Sequence, residues 1–320
     1  EEENYFFRLS NYQSYLEEYL STPGVIEPAW RREEALRFVQ GGLEDISISR
    51  QKSRMDWGVP VPDDDEQVVY VWFDALTNYI STLGWPDDPE GLYQKFWVAG
   101  ETLQLAGKDQ IRFQSIIWQA MLKSAGLPAT QKVFYHGFIN SGGQKMSKSL
   151  GNVISPFDVV DRYGLDATRY LLLRHVHPVD DSDITWEKMD EWYTANLVNG
   201  LGNLTARIMK MAETHLEGPV QIQENEKEQR WNLQDFRFDM YMNAVWHLIG
   251  EIDEDITLLE PFKKVKEDKE EGKRMIEMLV GKLFVVAKHL PAVMPQTAEI
   301  ILQAIKENKK PDNLFNRLPE

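Results

Sequence analysis

The chain has 320 residues, 42% of them hydrophobic and 27% charged, enough to bury a substantial core and, by length, to form about two domains. Without a single cysteine it holds no disulfide, no thiolate zinc site and no thiol redox chemistry. Its net charge of −16 opposes general affinity for nucleic acid, so any contact with a phosphate backbone needs a local basic surface, for which Arg207, Lys210, Lys263, Lys264 and Lys266 are the candidates.

The chain opens on Glu1-Glu2-Glu3-Asn4-Tyr5, which lacks the basic-then-apolar order of a signal peptide, and no apolar run nears the roughly 20 residues that cross a bilayer. A cytoplasmic protein with no membrane partner is expected. Helical patterns run over Tyr12 to Leu20 and Arg31 to Gln40, with a break at Gly41-Gly42 and a short strand over Ile46 to Ser49. The β-branched and aromatic run Val68 to Phe73, preceded by Pro60, Pro62 and Asp63-Asp64-Asp65, predicts a buried strand, and Ala75 to Leu83 a helix after it. Phe96 to Ala99 reads as a second strand, Ile111 to Ser124 as a helix closed by Gly126, and Lys132 to Ile139 as a third strand. This alternation predicts parallel βαβ units, with ligands beyond the carboxyl ends of the strands. From about Trp186 the strand signals cease. Amphipathic patterns over Met189 to Leu216, Arg237 to Leu258 and Gly272 to Lys306 predict a helix bundle, and the acidic stretch Glu217 to Glu228 a solvated loop.

The sharpest motif is Lys145-Met146-Ser147-Lys148-Ser149, between Gly142-Gly143 and Gly151-Asn152. Glycines let backbone approach phosphates, and two lysines so spaced bring two ammonium groups to one anion, the arrangement that stabilises charge on a transferring phosphoryl group. A flexible surface loop with two lysines is the alternative.

That pentapeptide is identical to the second signature of class I aminoacyl-tRNA synthetases, and Val133-Phe134-Tyr135-His136-Gly137-Phe138-Ile139 before it and Gly151-Asn152-Val153-Ile154 after it resemble the methionyl-tRNA synthetases. Val71-Trp72-Phe73-Asp74-Ala75-Leu76-Thr77-Asn78-Tyr79, Gly107-Lys108-Asp109 with Phe113 and Trp118, and Tyr5 to Ser10 with Asp45 to Arg50 carry the likeness across most of the chain. The resemblance implies an α/β plus all-α architecture. The end of a connective insertion (1–57) leads into the second half of a Rossmann-like parallel-sheet catalytic domain (58–186), followed by a helix-bundle anticodon-binding domain (187–320). It implies a methionine–tRNA ligase that forms methionyl-adenylate from methionine and ATP, carried with Mg2+, and passes the aminoacyl group to tRNA-Met; a monomer is expected.

Carried over by residue, the resemblance makes Lys145 and Lys148 the catalytic lysines at the ATP phosphates, and Gly107 and Asp109 contacts of the adenylate. Trp72, Ala75, Tyr79, Phe113, Gln114 and Trp118 enclose methionine, whose polarizable thioether suits aromatic surroundings. Core packing is the alternative for the rings, and a helix N-cap the alternative for Asp109. Asn203 and Arg207, four apart and so on one helix face, and Phe262 match the residues that read anticodon bases; ordinary surface polarity and a buried core ring are the alternatives. Two positions depart from the family pattern: Gln114 stands where many relatives have histidine, and Phe262 where many have tryptophan. The first signature, His-Ile-Gly-His or a variant, is absent, since none of the histidines at 136, 175, 177, 215, 247 and 289 has that spacing. The expectation is therefore a piece lacking the first half of the nucleotide-binding fold, with neither a metal nor a zinc site of its own. A tRNA-binding piece without catalysis and a class I ligase for isoleucine, valine or leucine are the rival readings.

Overall fold

The computed structural model describes residues 3–222 and 236–319. The part of the acidic loop from 223 to 228 lies outside them. The chain forms two compact units, one running through Gly137 and the other starting at Phe138.

In the first unit, β1 (Phe6–Phe7) precedes α1 (Gln13–Ser21), β2 (Ile26–Glu27) and α2 (Ala29–Gln40), and then come β3 (Ile46–Ser47) and β4 (Ser49–Gln51). Leu16, Leu20, Ala35 and Val39 face inward at helical spacing, so α1 and α2 lie where the periodicity predicts. β5 (Pro60–Val61) and β6 (Asp64–Val69) close a three-stranded antiparallel sheet in the order β4-β6-β5. The strand predicted over Val68 to Phe73 ends early. Tyr70 N–H still donates to the Ile48 carbonyl at 2.7 Å, but the Tyr70 carbonyl accepts from Phe73 and Asp74 N–H and so starts a helix, α3 (Val71–Ala75). Trp72 and Phe73 thus sit on a helix despite their strand propensity, which tertiary context overrides. The helix predicted from Ala75 to Leu83 is reduced to α4 (Asn78–Ser81).

Phe96 to Ala99 is not a strand either. Gln94–Val98 is a widened, π-helical turn with Trp97 as its one buried residue, whose indole N–H donates to the Pro128 carbonyl at 3.0 Å. The second strand is instead β7 (Leu103–Gly107). A second π turn, Phe113–Ile117, runs into α5 (Trp118–Ser124), and β8 (Lys132–His136) returns parallel to β7, with Gly107 opposite His136. β2 flanks β8 on its other side, also parallel, giving the order β2-β8-β7. The predicted parallel βαβ unit is therefore β7–α5–β8.

The second unit begins with a small sheet of β9 (Ile139–Ser141), β10 (Gln144–Lys145) and β11 (Ser182–Asp183), in the order β10-β9-β11. The third predicted strand is thus split, β8 ending at His136 and β9 starting at Ile139. Between β9 and β11 lie α6 (Pro156–Tyr163) and α7 (Leu165–His175). Helix α8 (Trp186–Trp192), a π-helical stretch Tyr193–Gly202 and α9 (Asn203–His215) form one uninterrupted helical run. Then follow α10 (Phe238–Leu259), α11 (Pro261–Glu267), α12 (Lys269–His289) and α13 (Pro295–Glu307). The pattern read as one helix from Gly272 to Lys306 is two, because the Leu290–Met294 turn precedes Pro295, which lacks the N–H to continue a helix. One apolar core joins Val159, Tyr170 and Leu171 to Leu197, Ile208, Ile252, Leu283 and Ile301, so α6 and α7 pack with the bundle. A side chain at Gly272 would place Cβ 2.3 Å from Val265 Cα, so glycine is required where α11 meets α12.

His175 ends α7 stacked on Trp192, with centroids 4.1 Å apart and rings 2° from parallel, and edge-on to Tyr170. Its Nε2 is buried without a hydrogen-bond partner among the described residues, and burial, aided by the Arg174 charge, pushes its pKa down to about 4. Between that value and the ordinary 6.5 the unfolded chain binds the proton more readily, so stability falls as pH drops through this window. The urea midpoint should therefore fall between pH 6.5 and 5 in the natural chain and fall less in His175→Phe; equal slopes would remove His175 as the cause.

Candidate functional site

The first unit gathers its aromatic residues around the π turn. Trp118, 1% exposed, sits edge-on to Trp97 at 6.1 Å and tilted against Tyr79 at 5.9 Å. Trp72, 42% exposed, stacks on Phe113 at 5.1 Å. Of the six residues expected around a methionine side chain, the structure thus joins Trp72 with Phe113, and Tyr79 with Trp118 and Gln114. Ala75 is exposed at the end of α3, outside these ring contacts. Trp118 is a core residue, as the packing alternative anticipated, yet its indole N–H is buried without a partner among the described residues.

Gln114 is buried, and its amide N–H donates to the Tyr79 hydroxyl oxygen, while its own Oε1 has no partner among the described residues. Since the phenol oxygen accepts, its hydrogen is left to donate to something else. Burial raises the Tyr79 pKa, so the phenol stays protonated at neutral pH. Behind the turn, Ser115 and Tyr135 share a 2.6 Å hydrogen bond that links α5's approach to β8. Gln119, fully buried, donates to the Gln114 carbonyl at 2.8 Å and to Thr130 Oγ1 at 3.0 Å, and accepts from Thr130 N–H at 3.0 Å. Neither this network nor the buried indole of Trp97 stands out in the sequence, where a glutamine inside an otherwise apolar helical face, Ile116 to Leu122, is the available signal.

Gly107 and Asp109 lie at the carboxyl end of β7, where parallel sheets bind ligands. Asp109 is exposed inside a 3-10 turn, Lys108–Gln110, whose cap is Gly107, so Asp109 is not the N-cap considered as its alternative.

In the second unit the lysine loop is a built structure. Gly142 and Gly143, at φ 62° and 74°, form the two-residue turn between β9 and β10 that only positive-φ residues make without strain. Gly143 N–H donates to Asp183 at 2.7 Å; Asp183 also pairs with Lys188 at 2.7 Å, and the Lys188 and Gly143 bonds hold its carboxyl below the usual range. Lys145 ends β10, its ammonium 4.7 Å from the Phe138 ring centroid, and Lys148 opens a 3-10 turn capped by Ser147. Asn152 ties the loop together, accepting from Ser147 N–H at 2.9 Å and donating to the Lys145 carbonyl at 3.3 Å. Both lysine side chains are exposed.

A cavity of about 500 Å³ opens on α9, lined by Ala206, Arg207, Met211, Ile256 and Phe262, with Lys210 and Lys310 also on its wall. Arg207 and Phe262 are therefore brought to one site. Asn203, exposed one turn earlier on α9, is not among the lining residues. Phe262 is 43% exposed, which removes the buried-core alternative for it. Of the five basic candidates, Arg207, Lys210, Lys263 and Lys264 each pair with an acid, Asp253, Glu213, Glu260 and Glu267 respectively.

Among the described residues no group of three or more histidine, cysteine, aspartate or glutamate side chains is placed to hold a metal ion, and no helix is long and apolar enough to cross a membrane.

Residues 1–209 match the family model of tRNA synthetases class I (M). The chain is 39% identical to the methionine–tRNA ligase of Thermotoga maritima over 332 aligned positions, covering 97% of this chain and 51% of the relative. It is 49% identical to that of Brucella suis over 221, covering 69% and 42%. The structure of Mycobacterium tuberculosis methionyl-tRNA synthetase in complex with methionyl-adenylate superposes with a TM-score of 0.83 at 34% identity, over 94% of this chain and 62% of that one. The chain spans about half the length of the curated relatives it matches.

Replacing Gln119 with leucine strands the Thr130 N–H and the Gln114 carbonyl in a buried setting. A loss of about 2 kcal/mol or more is expected in urea unfolding, and an unchanged midpoint would show the network to be dispensable.

Proposed function

We propose, because the chain belongs to the methionyl-tRNA synthetase family of class I, that it supplies the second part of a methionine–tRNA ligase: the methionine enclosure, the phosphate lysines and the anticodon-reading bundle. The functional division is then 1–57 as the end of the connective insertion, 58–186 as catalytic and 187–320 as anticodon-binding. The observation that carries the reading is the lysine loop, in which a hairpin ending at Lys145 leads into a turn tied by Asn152, with both Lys145 and Lys148 exposed residues.

In the reaction, a carboxylate oxygen of methionine attacks the α-phosphorus of ATP; the new acyl–phosphate bond forms as the bond to pyrophosphate breaks. Negative charge accumulates on the departing oxygens. Lys145 and Lys148 oppose that charge, which grows only as the bond breaks, so their effect falls on the rate more than on substrate binding. ATP enters as its magnesium complex; the ion travels with the substrate phosphates. Trp72, Phe113, Tyr79 and Gln114 surround the side chain of methionine, and the Tyr79 hydroxyl hydrogen is available to the thioether sulfur. Gln114 holds that phenol without titrating between pH 5 and 8, as a histidine would. Gly107 and Asp109 take the adenylate ribose. A terminal ribose hydroxyl of tRNA-Met then attacks the acyl carbon, releasing AMP.

At the bundle, Arg207 and Phe262 line one cavity with both a guanidinium and an aromatic face, the two surfaces that recognise unstacked RNA bases. Asn203 adds an amide one turn away. We place the protein in the cytoplasm as a monomer that works on tRNA.

Amino-acid-dependent ATP–pyrophosphate exchange tests the specificity in a ligase of the relatives' full length that carries this sequence. Methionine should support exchange and isoleucine should not; the reverse would sink the assignment. There, Lys148→Ala should lower kcat about a hundredfold or more, the scale of losing one preorganised charge contact, while the methionine KM moves little; equal effects on both would contradict the phosphate role. The 320-residue chain by itself should bind tRNA with an affinity that weakens steeply with salt.

A further inference from the structure

The Arg207 side chain is held by one contact. Its Nη1 donates to Asp253 Oδ1 at 2.5 Å, joining α9 to α10, and no other hydrogen bond from this guanidinium exists among the described residues. Asp253 is not part of the cavity wall, although Ile256, one turn further along α10, is. The carboxylate therefore grips Arg207 from outside, at one nitrogen. Nε and the other N–H groups of the guanidinium are left for a ligand in the cavity, and a planar fork fixed at one end presents the rest in a defined direction.

A free carboxylate beside an RNA-binding cavity is a liability. It repels phosphates, and this chain already carries a net charge of −16. A surface ion pair of this kind also adds little stability. What Asp253 can supply is orientation: it removes rotamer freedom from Arg207 before the base arrives, so that less is lost on binding.

We infer that Asp253 is a positioning residue for base discrimination, aiming Arg207 into the cavity. The inference rests on the reading of Arg207 as a contact to anticodon bases.

The test is binding of the 320-residue chain to tRNA-Met transcripts with the native anticodon and with a single anticodon base changed, read as the ratio of the two Kd values. Arg207→Ala should collapse the ratio. Asp253→Ala should lower it about tenfold, the loss of one charge-assisted contact, chiefly through weaker binding of the native transcript. Asp253→Asn, which keeps an oxygen acceptor at the same place, should retain most of it. A structural role alone would weaken both transcripts together and leave the ratio intact. If Asp253→Ala binds both transcripts more tightly at an unchanged ratio, Asp253 only shields Arg207 and the inference is overturned. If Arg207→Ala collapses the ratio while Asp253→Ala does not move it, the inference fails alone. If Arg207→Ala leaves the ratio unchanged, or the chain binds neither transcript, the anticodon reading fails first.

Discussion

The aromatic site depends on the widened turn at Phe113–Ile117 and on the amide that makes it tenable. A π turn directs backbone bonds one residue further than an α-helix does, as in the bond from Trp118 N–H to the Phe113 carbonyl. The next carbonyl, Gln114, is taken by the side chain of Gln119, whose other contacts reach Thr130. Thr130 Oγ1 passes the chain on to Gln104 of β7 at 2.9 Å, and its carbonyl accepts from Tyr19 of α1 at 2.8 Å. One buried amide thereby fixes the turn to the sheet and to the helix behind it. The register of Phe113, Gln114 and Trp118, and with it the meeting of Gln114 with Tyr79, follows from that anchor.

The same economy governs the second unit. Its lysine loop owes its shape to two glycines at positive φ, to Asn152 and to Asp183, none of which is a lysine. The two lysines expected to act on phosphates are exposed, while the backbone that carries them is bonded at several points.

How much of this was legible in the sequence varies with the range of the interaction. α1, α2, α5 and α10 were readable because their apolar residues repeat at helical spacing against buried apolar clusters. The lysine pentapeptide was readable because its chemistry is local. The errors cluster where a distant partner decides. Trp72 and Phe73 have strand propensity, but the Tyr70 carbonyl is diverted into a helix once β6 has filled its bonds to β4 and β5. Trp97 sits on a π turn that brings its indole N–H to Pro128, 31 residues later. Bringing Arg207 and Phe262 to one cavity required the fold, since 55 residues separate them in sequence, and the Arg207–Asp253 contact has no local signature at all.

The close approach at Gly272 has a consequence for any genetic dissection of this bundle. Val265 backbone occupies the space a side chain would need, and Val265 belongs to the two-turn helix that carries Phe262. A methyl group at position 272 therefore has to displace that helix, and with it the ring that lines the cavity. In a screen for loss of whatever this cavity binds, Gly272 would emerge beside the lining residues, although it lines no cavity and bears no chemistry; its signature would be that no side chain restores function, whereas a lining residue tolerates its nearest relatives.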